Sequence, residues 1–125
     1  MTTKIPENYA EKFIGKKIKI KIDRPAGSKH PEHGFVYETD YGYVPGTEAP
    51  DGEEIDAYLI GEKRRTNDLV GICVAVIRRT DDNDDKLVVL PLGSENISDE
   101  EIVQATKFQE KFFNSKIVRK DPNIS

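Results

Sequence analysis

Carboxylates are concentrated in two short stretches of the chain, residues 51–56 and 81–85. The first reads Asp-Gly-Glu-Glu-Ile-Asp and the second Asp-Asp-Asn-Asp-Asp. Like charges this close raise one another's pKa and oppose folding unless cations neutralise them. Carboxylate oxygens are the ligands that Mg²⁺, Mn²⁺ and Ca²⁺ prefer, whereas zinc sites use histidine and cysteine. The pair of stretches indicates a divalent-cation site, although either one alone is more simply a solvated turn.

Two lysines lie close to these acids in the sequence. Lys86 directly follows the second acidic stretch, and Lys29 belongs to a Gly-Ser-Lys turn. If the acidic stretches and these lysines meet at one opening of the fold, which we call the acidic mouth, divalent cations and ammonium groups would lie together there. That combination suits a phosphate ester or anhydride, whose charge must be neutralised on several oxygens at once. The sequence therefore favours chemistry on a small phosphate compound.

Two other metal patterns are weaker. Residues 81–85 do not begin an EF-hand loop, because Lys86 stands where glycine is required and Leu92 where glutamate is required. His30 and His33 share a loop with no third soft ligand nearby. We therefore expect that loop to be solvated or to face phosphate rather than to bind zinc.

The composition limits the class of protein. The 125 residues are 36% hydrophobic and 34% charged, which predicts one domain over residues 1–125. The longest apolar run, residues 72–77, is too short to span a membrane. A net charge of -4 argues against a nucleic-acid partner. The single cysteine, Cys73, has apolar neighbours and is expected to be buried, which fits a reducing cytoplasm.

Periodicity predicts mostly strands. Lysine and isoleucine alternate over residues 16–23, as in a half-buried strand, and residues 1–14 are expected to be a loose arm. The other predicted strands are residues 35–37, 41–47, 57–60, 69–79 and 86–90. We expect residues 57–60 and 69–79 to be antiparallel neighbours, which would place both acidic stretches at one end of the sheet.

The last element has the period of a helix. Ser98 and Glu101 form a capping-box pattern, and the predicted helix runs to about Lys116. Its apolar side would pack on the sheet and comprises Ile102, Ala105, Phe108, Phe112 and Phe113. Short strands followed by one late helix predict a mainly β, small antiparallel barrel or sandwich.

Several motifs together resemble one known family. Residues 51–57 are similar to the signature of the soluble, magnesium-dependent inorganic pyrophosphatases (family I), Asp-x-Asp-(Pro/Glu)-apolar-Asp-apolar, with Glu53 at the middle acid. Residues 23–28, the Tyr-Gly-Tyr of residues 41–43 and the run 74–91 resemble the same family in order and spacing. The resemblance implies an OB-like antiparallel β-barrel with one C-terminal helix, and cytoplasmic hydrolysis of pyrophosphate to two phosphates.

The resemblance also implies roles for individual residues. Lys29, Lys86 and Tyr41 would hold phosphate, with Lys86 and Tyr41 among the catalytic groups. Glu53 would bridge two metal ions that share the attacking water, with Asp56 beside it in the catalytic set. Mg²⁺ is the implied cofactor, with Mn²⁺ as an alternative. The implied metal ligands are Asp23, Asp51, Glu53, Asp56, Asp81 and Asp84.

The chain departs from the family pattern at three places. Glu53 replaces an aspartate, the hairpin between Ser28 and Tyr41 is short, and Phe112 and Phe113 fall where the family has a tyrosine and a lysine. An alternative reading is therefore a catalytically weak metal- or phosphate-binding module, or a hydrolase of another small phosphate compound. Relatives form oligomers, so a homo-oligomer is a further expectation. An OB-type single-strand binder would need a basic groove, which the acidic mouth contradicts.

Overall fold

The computed structural model describes residues 9–61, 68–80, 84–93 and 96–119. Within them the chain forms six strands, one α-helix and a 3-10 turn. The strands are β1 (Lys17–Arg24), β2 (Asp40–Val44), β3 (Ile55–Leu59), β4 (Asp68–Arg79), β5 (Lys86–Pro91) and β6 (Ser115–Val118), with α1 (Asp99–Glu110) before the last strand.

The strands form one sheet in the order β1-β2-β3-β5-β4-β6. An additional pairing of β1 with β4 closes five of them into a barrel. Every pair is antiparallel except β3 with β5, which is parallel. The predicted mainly β, OB-like barrel with one helix near the C-terminus is confirmed.

One predicted pairing is wrong. β3 and β4 are not neighbours, because β5 lies between them and pairs with both. A local pattern shows which face of a strand is buried but not which strand pairs with it, so the sequence left this open. The predicted consequence, that the two acidic stretches lie at the same end of the sheet, holds for those of their residues that the structure describes. Because β3 and β5 are parallel, both begin at the same end, and Asp56 lies directly opposite Lys86.

Strand alternation divides the apolar residues between two cores. In β1, Ile18, Ile20 and Ile22 are buried while the intervening lysines are exposed, as the alternation predicted. Isoleucines of β1 join residues from the other barrel strands in the barrel interior. The outward faces of the central strands pack under α1, so Val88 belongs to a second core while its neighbour Leu87 belongs to the first. Both β4 and β5 are therefore buried on two sides.

Gly42 in the Tyr-Gly-Tyr segment allows β1 and β2 to approach closely. A Cβ atom at this position would lie 1.9 Å from the carbonyl oxygen of Lys21. No side chain fits there without moving the strands apart. Glycine at this position therefore keeps Tyr43 opposite Lys21 in the pairing register.

The helix is shorter than predicted. It begins after Ser98 with the expected capping box and ends at Glu110, not near Lys116. Residues 115–118 form β6 instead. β1 pairs only with the first part of β4, and β6 pairs with residues 76–79 of β4, which β1 does not reach. Phe112 lies beyond the helix and is 59% exposed.

No helix in the described part of the chain is long and apolar enough to cross a bilayer.

The expected loose arm is wrong for the residues that the structure describes. Tyr9, Ala10 and Glu11 are buried, and a 3-10 turn spans Glu11–Phe13. Glu11 pairs with Arg78 on β4, and the Tyr9 hydroxyl accepts a hydrogen bond of 3.0 Å from the Asp85 N–H. These polar partners and two buried side chains hold a segment that has no periodic pattern in the sequence.

The thiol of Cys73 should be inert in the folded protein. It is fully buried, and burial raises its pKa to about 12. At pH 8 only about one thiol in ten thousand would then be ionised, and the thiolate is the reactive form. We expect an aromatic disulfide reagent to react with Cys73 only after urea unfolding. Rapid stoichiometric reaction in native buffer would contradict this burial.

Candidate active site

A cleft of about 710 Å³ lies on the outer side of the barrel, beside the C-terminal end of α1. Asp56 and Lys86 enter it because they occupy the outward-facing positions at the starts of the parallel strands β3 and β5. The residues that line it are Asp23, Arg24, His30, His33, Phe35, Tyr37, Tyr41, Asp56, Arg79, Asp84, Lys86, Gln109, Phe112 and Phe113.

Lys86 is the centre of the charged part of this cleft. Its side chain is buried, and its Nζ donates to Asp56 Oδ2 at 2.6 Å and to Asp84 Oδ2 at 2.9 Å. Burial alone would lower the pKa of Lys86, but the two carboxylates outweigh burial and raise it. Lys86 is therefore a fixed positive charge at neutral pH.

Asp23 and Tyr41 complete this part of the cleft. Asp23 is exposed, but partial desolvation beside the cleft raises its pKa, and the nearby carboxylate of Asp56 adds to the increase. Tyr41 is buried, its ring lies 5.6 Å from the ammonium of Lys86, and burial followed by Asp56 raises its pKa well above the ordinary value. Of the two tyrosines in β2, Tyr41 is the one that faces the cleft.

Arg79 is the main cleft residue that had no defined role in the sequence predictions. Its Nε and one terminal nitrogen donate to the two Glu110 oxygens at 3.0 and 2.8 Å, and both side chains are buried. The ring of Phe113 lies 3.6 Å from the guanidinium carbon. A two-point bond to a carboxylate and a stacked ring hold the guanidinium plane in one orientation. Burial opposes the charge of Arg79, but Glu110 outweighs it and raises the pKa.

A chain of hydrogen bonds extends from Glu110 under the cleft. The Tyr58 hydroxyl donates to Glu110 Oε2 at 2.6 Å and accepts from the Gln109 amide at 2.6 Å. The Tyr37 hydroxyl donates to the other amide atom, Gln109 Oε1, at 3.2 Å. Gln109 and Glu110 are both buried. In the sequence they are only two adjacent polar residues at the end of an amphipathic helix, so the sequence carries little signal for this network.

The loop before β2 also lines the cleft, through His30, His33 and Phe35. Residues 35–37 do not form the predicted strand; a single bridge joins Val36 to Lys29. His30 Nδ1 accepts hydrogen bonds of 3.1 Å from the N–H groups of Glu32 and His33, which fixes a tight turn. The bridge and this turn satisfy the hydrogen-bonding groups of the backbone locally. The segment therefore does not need a longer pairing with another strand.

Three of the predicted site residues lie outside the cleft lining. Asp51, Glu53 and Lys29 are all exposed. Asp51 Oδ1 instead accepts a 3.0 Å hydrogen bond from the Glu53 N–H within the turn before β3. Asp81 lies outside the described residues. The structure thus brings together Asp23, Tyr41, Asp56, Asp84 and Lys86 from the predicted set.

The cleft contains carboxylates of the kind that bind divalent cations. Asp23, Asp56 and Asp84 supply the hard oxygen donors that Mg²⁺ prefers. Among the described residues, no three histidine, cysteine or acidic side chains are close enough to hold one ion. Mg²⁺ is commonly bound by one or two carboxylates together with substrate phosphates and water, rather than by an all-protein cage. This donor set fits a cation of that kind.

A small OB-like barrel with buried lysine, buried arginine and carboxylates in one cleft has the features of an enzyme that acts on phosphate groups. A family model described as inorganic pyrophosphatase matches residues 3–120. The chain belongs to the inorganic pyrophosphatase family, and by class it is an inorganic diphosphatase. No curated protein matches it.

Solved structures agree with the fold. The inorganic pyrophosphatase from Neisseria gonorrhoeae is 25% identical over 75% of this chain and 72% of that chain, with a TM-score of 0.61. The inorganic pyrophosphatase from Ehrlichia chaffeensis is 15% identical over 82% and 85% of the two chains, with a TM-score of 0.65. That from Thermus thermophilus is 17% identical over 95% and 88%, with a TM-score of 0.59. The last two similarities concern the fold alone.

Proposed function

We propose that this protein hydrolyses inorganic pyrophosphate to two orthophosphates with Mg²⁺. The observation that carries the proposal is the buried Lys86 ammonium, 2.6 Å from Asp56 and 2.9 Å from Asp84, in the same cleft as the buried Arg79. A buried cation held by fixed partners is pre-organised for a charged phosphate group, and it acts more strongly there than in water.

The chain's own groups bind and orient the substrate in this proposal. Lys86 and Arg79 attract phosphate oxygens, and the Tyr41 hydroxyl donates a hydrogen bond to one of them. Water attacks one phosphorus in line, the bond from that phosphorus to the bridging oxygen breaks, and the leaving phosphate keeps the electron pair. When bound, Mg²⁺ supplies charge neutralisation and makes water more acidic.

The remaining predicted ligands stay part of the proposal. Asp51 and Glu53 are exposed and belong to the turn that leads directly to Asp56, which lines the cleft. We propose that they contribute when substrate and cation are bound, with Asp81 as a further ligand and Lys29 as a further phosphate contact. Glu53 then acts as the base that receives a proton from the attacking water.

A phosphate-release assay tests this function. Purified protein with pyrophosphate and Mg²⁺ should release two phosphates for each substrate consumed, and a chelator should stop the release. Mn²⁺ in place of Mg²⁺ tests the alternative cofactor. Absence of phosphate release with every divalent cation would refute hydrolysis of pyrophosphate.

A second candidate is a catalytically weak module that binds metal and phosphate. The exposed positions of Asp51 and Glu53, outside the cleft lining, favour it. Calorimetry would then show binding of Mg²⁺ and pyrophosphate, while the same sample releases no phosphate over hours.

We also propose a cytoplasmic location and assembly into a homo-oligomer. The buried free thiol of Cys73 and the acidic composition support action in the cytoplasm, with no membrane or nucleic-acid partner. The homo-oligomer is proposed because relatives in this family form oligomers, and the molar mass from analytical ultracentrifugation would test it.

A further inference from the structure

The cleft has two chemically different parts. The charged floor consists of Asp23, Arg24, Asp56, Arg79, Asp84 and Lys86. The aromatic rim consists of His30, His33, Phe35 and Phe112. The proposed function uses the floor and leaves the rim without a role.

The rim consists of rings in contact with one another. The ring centroids of His30 and His33 are 4.6 Å apart, those of His30 and Phe35 are 4.8 Å apart, and those of Phe35 and Phe112 are 5.8 Å apart. The planes of His33 and Phe35 are within 5° of parallel. These rings therefore form a continuous surface along one side of the cleft.

Part of this surface faces solvent. Phe112 is 59% exposed, and His33 is also exposed. Contiguous apolar surface beside a cleft commonly marks a binding site, and the Phe112 ring extends such a surface because it lies 5.8 Å from the ring of Phe35. Phe108, only four residues earlier, is instead buried in the core beneath α1.

The dimensions of the cleft also exceed the needs of pyrophosphate. Its volume of about 710 Å³ lies within the range of roughly 300–1,000 Å³ found for sites that bind drug-sized ligands. Pyrophosphate has no apolar surface, so it gains nothing from the rim. A ligand that uses the whole cleft has a charged diphosphate at one end and a flat, partly apolar group at the other.

We propose that the cleft binds nucleoside 5′-diphosphates, with the diphosphate on the charged floor and the base stacked on the aromatic rim. This rests on the proposed function, because it uses the same floor for the same diphosphate unit. Hydrolysis would proceed as for pyrophosphate. Water bonds to the terminal phosphorus, the bond from that phosphorus to the bridging oxygen breaks, and a nucleoside monophosphate, orthophosphate and one proton are released.

A planar base is favoured over an alkyl chain because of the composition of the rim. Two of its four groups are imidazoles, which combine a flat face with polar nitrogen atoms. Bases stack on such rings whatever their sequence identity, because every base has a π-face. A purely apolar chain has no π-face with which to stack on these rings.

Binding of two hydrolysis-resistant analogues tests the proposal without turnover. α,β-Methylene-ADP and methylenediphosphonate share the diphosphate unit and differ by the nucleoside. With Mg²⁺ present, calorimetry should show the nucleoside analogue binding about tenfold more tightly, as expected for one stacked base. Equal or weaker binding of the nucleoside analogue would overturn the proposal. A geranyl diphosphate analogue that binds as tightly as the nucleoside analogue would also overturn it.

A substitution in the rim locates the effect. Phe112→Ala should reduce the affinity ratio of the two analogues to near one, and Phe112→Trp should preserve it. The ratio cancels any common change at the charged floor. Val103→Ala is the matched control, because Val103 is 50% exposed, apolar and outside the cleft lining. A ratio that survives Phe112→Ala would show that the base does not stack on the rim.

The result separates this proposal from the proposed function. Release of phosphate from pyrophosphate together with no preference for the nucleoside analogue would leave the pyrophosphatase intact and remove the nucleotide. A nucleoside preference without any turnover would keep the binding class and remove the hydrolysis. Release of phosphate from ADP as well as from pyrophosphate would support both.

Discussion

Asp56→Asn is expected to lower pyrophosphate turnover by about two orders of magnitude or more, the scale on which loss of a single pre-organised transition-state contact acts. The carboxylate accepts the shorter of the two hydrogen bonds that hold the Lys86 ammonium, and it lies at the start of β3 directly opposite that residue. Asparagine keeps the shape and one acceptor oxygen but removes the negative charge. The measurement is kcat for phosphate release from pyrophosphate with Mg²⁺.

The fold should survive this substitution. Asp56 is about one-third exposed, so water already screens part of its charge and the stability change should be within about 1 kcal/mol. Glu100→Gln is a matched control, because it removes one negative charge from the exposed first turn of α1. Urea unfolding and turnover of the control should both resemble the unmodified protein. Wild-type turnover in Asp56→Asn would contradict a catalytic role for this carboxylate.

Arg79→Met is expected to lower the free energy of unfolding by about 3–5 kcal/mol, the usual cost of breaking a buried ion pair from one side. Glu110, buried with an exposed fraction of 7%, would lose its two-point partner. Phe113 would also lose the guanidinium on which it stacks. The measurement is the midpoint and slope of urea unfolding, followed by circular dichroism.

A second variant separates the buried charge from the loss of packing. Arg79→Met combined with Glu110→Gln should recover about half of the lost stability, because a neutral amide is cheaper to bury and keeps a hydrogen bond to Tyr58. Lys107→Met is the control, since it removes one positive charge from an exposed position on the same helix. If Arg79→Met costs less than about 1 kcal/mol, or if the double variant recovers nothing, the ion pair is not the reason for the burial of Glu110.

The structure also limits the predicted chemistry. The floor of the cleft contains the groups that a diphosphate needs, but Asp51 and Glu53 lie on an exposed turn beside it. Exposed charges are inexpensive to reorient, whereas Lys86 and Arg79 are buried and fixed by short bonds. In the function proposed above, the two sets have different tasks: the fixed part would bind phosphate, and the exposed turn would rearrange when cation and substrate bind.

The sequence alone determined the features that depend on neighbouring residues. Alternation in β1 predicted which isoleucines are buried, and Ser98 with Glu101 predicted the start of α1. The motif at residues 51–57 and the Tyr-Gly-Tyr segment pointed to the family that the comparison then confirmed. These signals are local because side-chain periodicity and capping act over a few residues.

Only the tertiary structure decided which distant segments meet. It placed β5 between β3 and β4, ended α1 early so that β6 could pair with the open edge of β4, and joined Arg79 to Glu110 across the fold. It also left Asp51 and Glu53 exposed while burying Lys86. The physical reason is that a charged residue has the same local pattern whether water or a distant partner satisfies it, so its environment is set by the strands and helices packed around it.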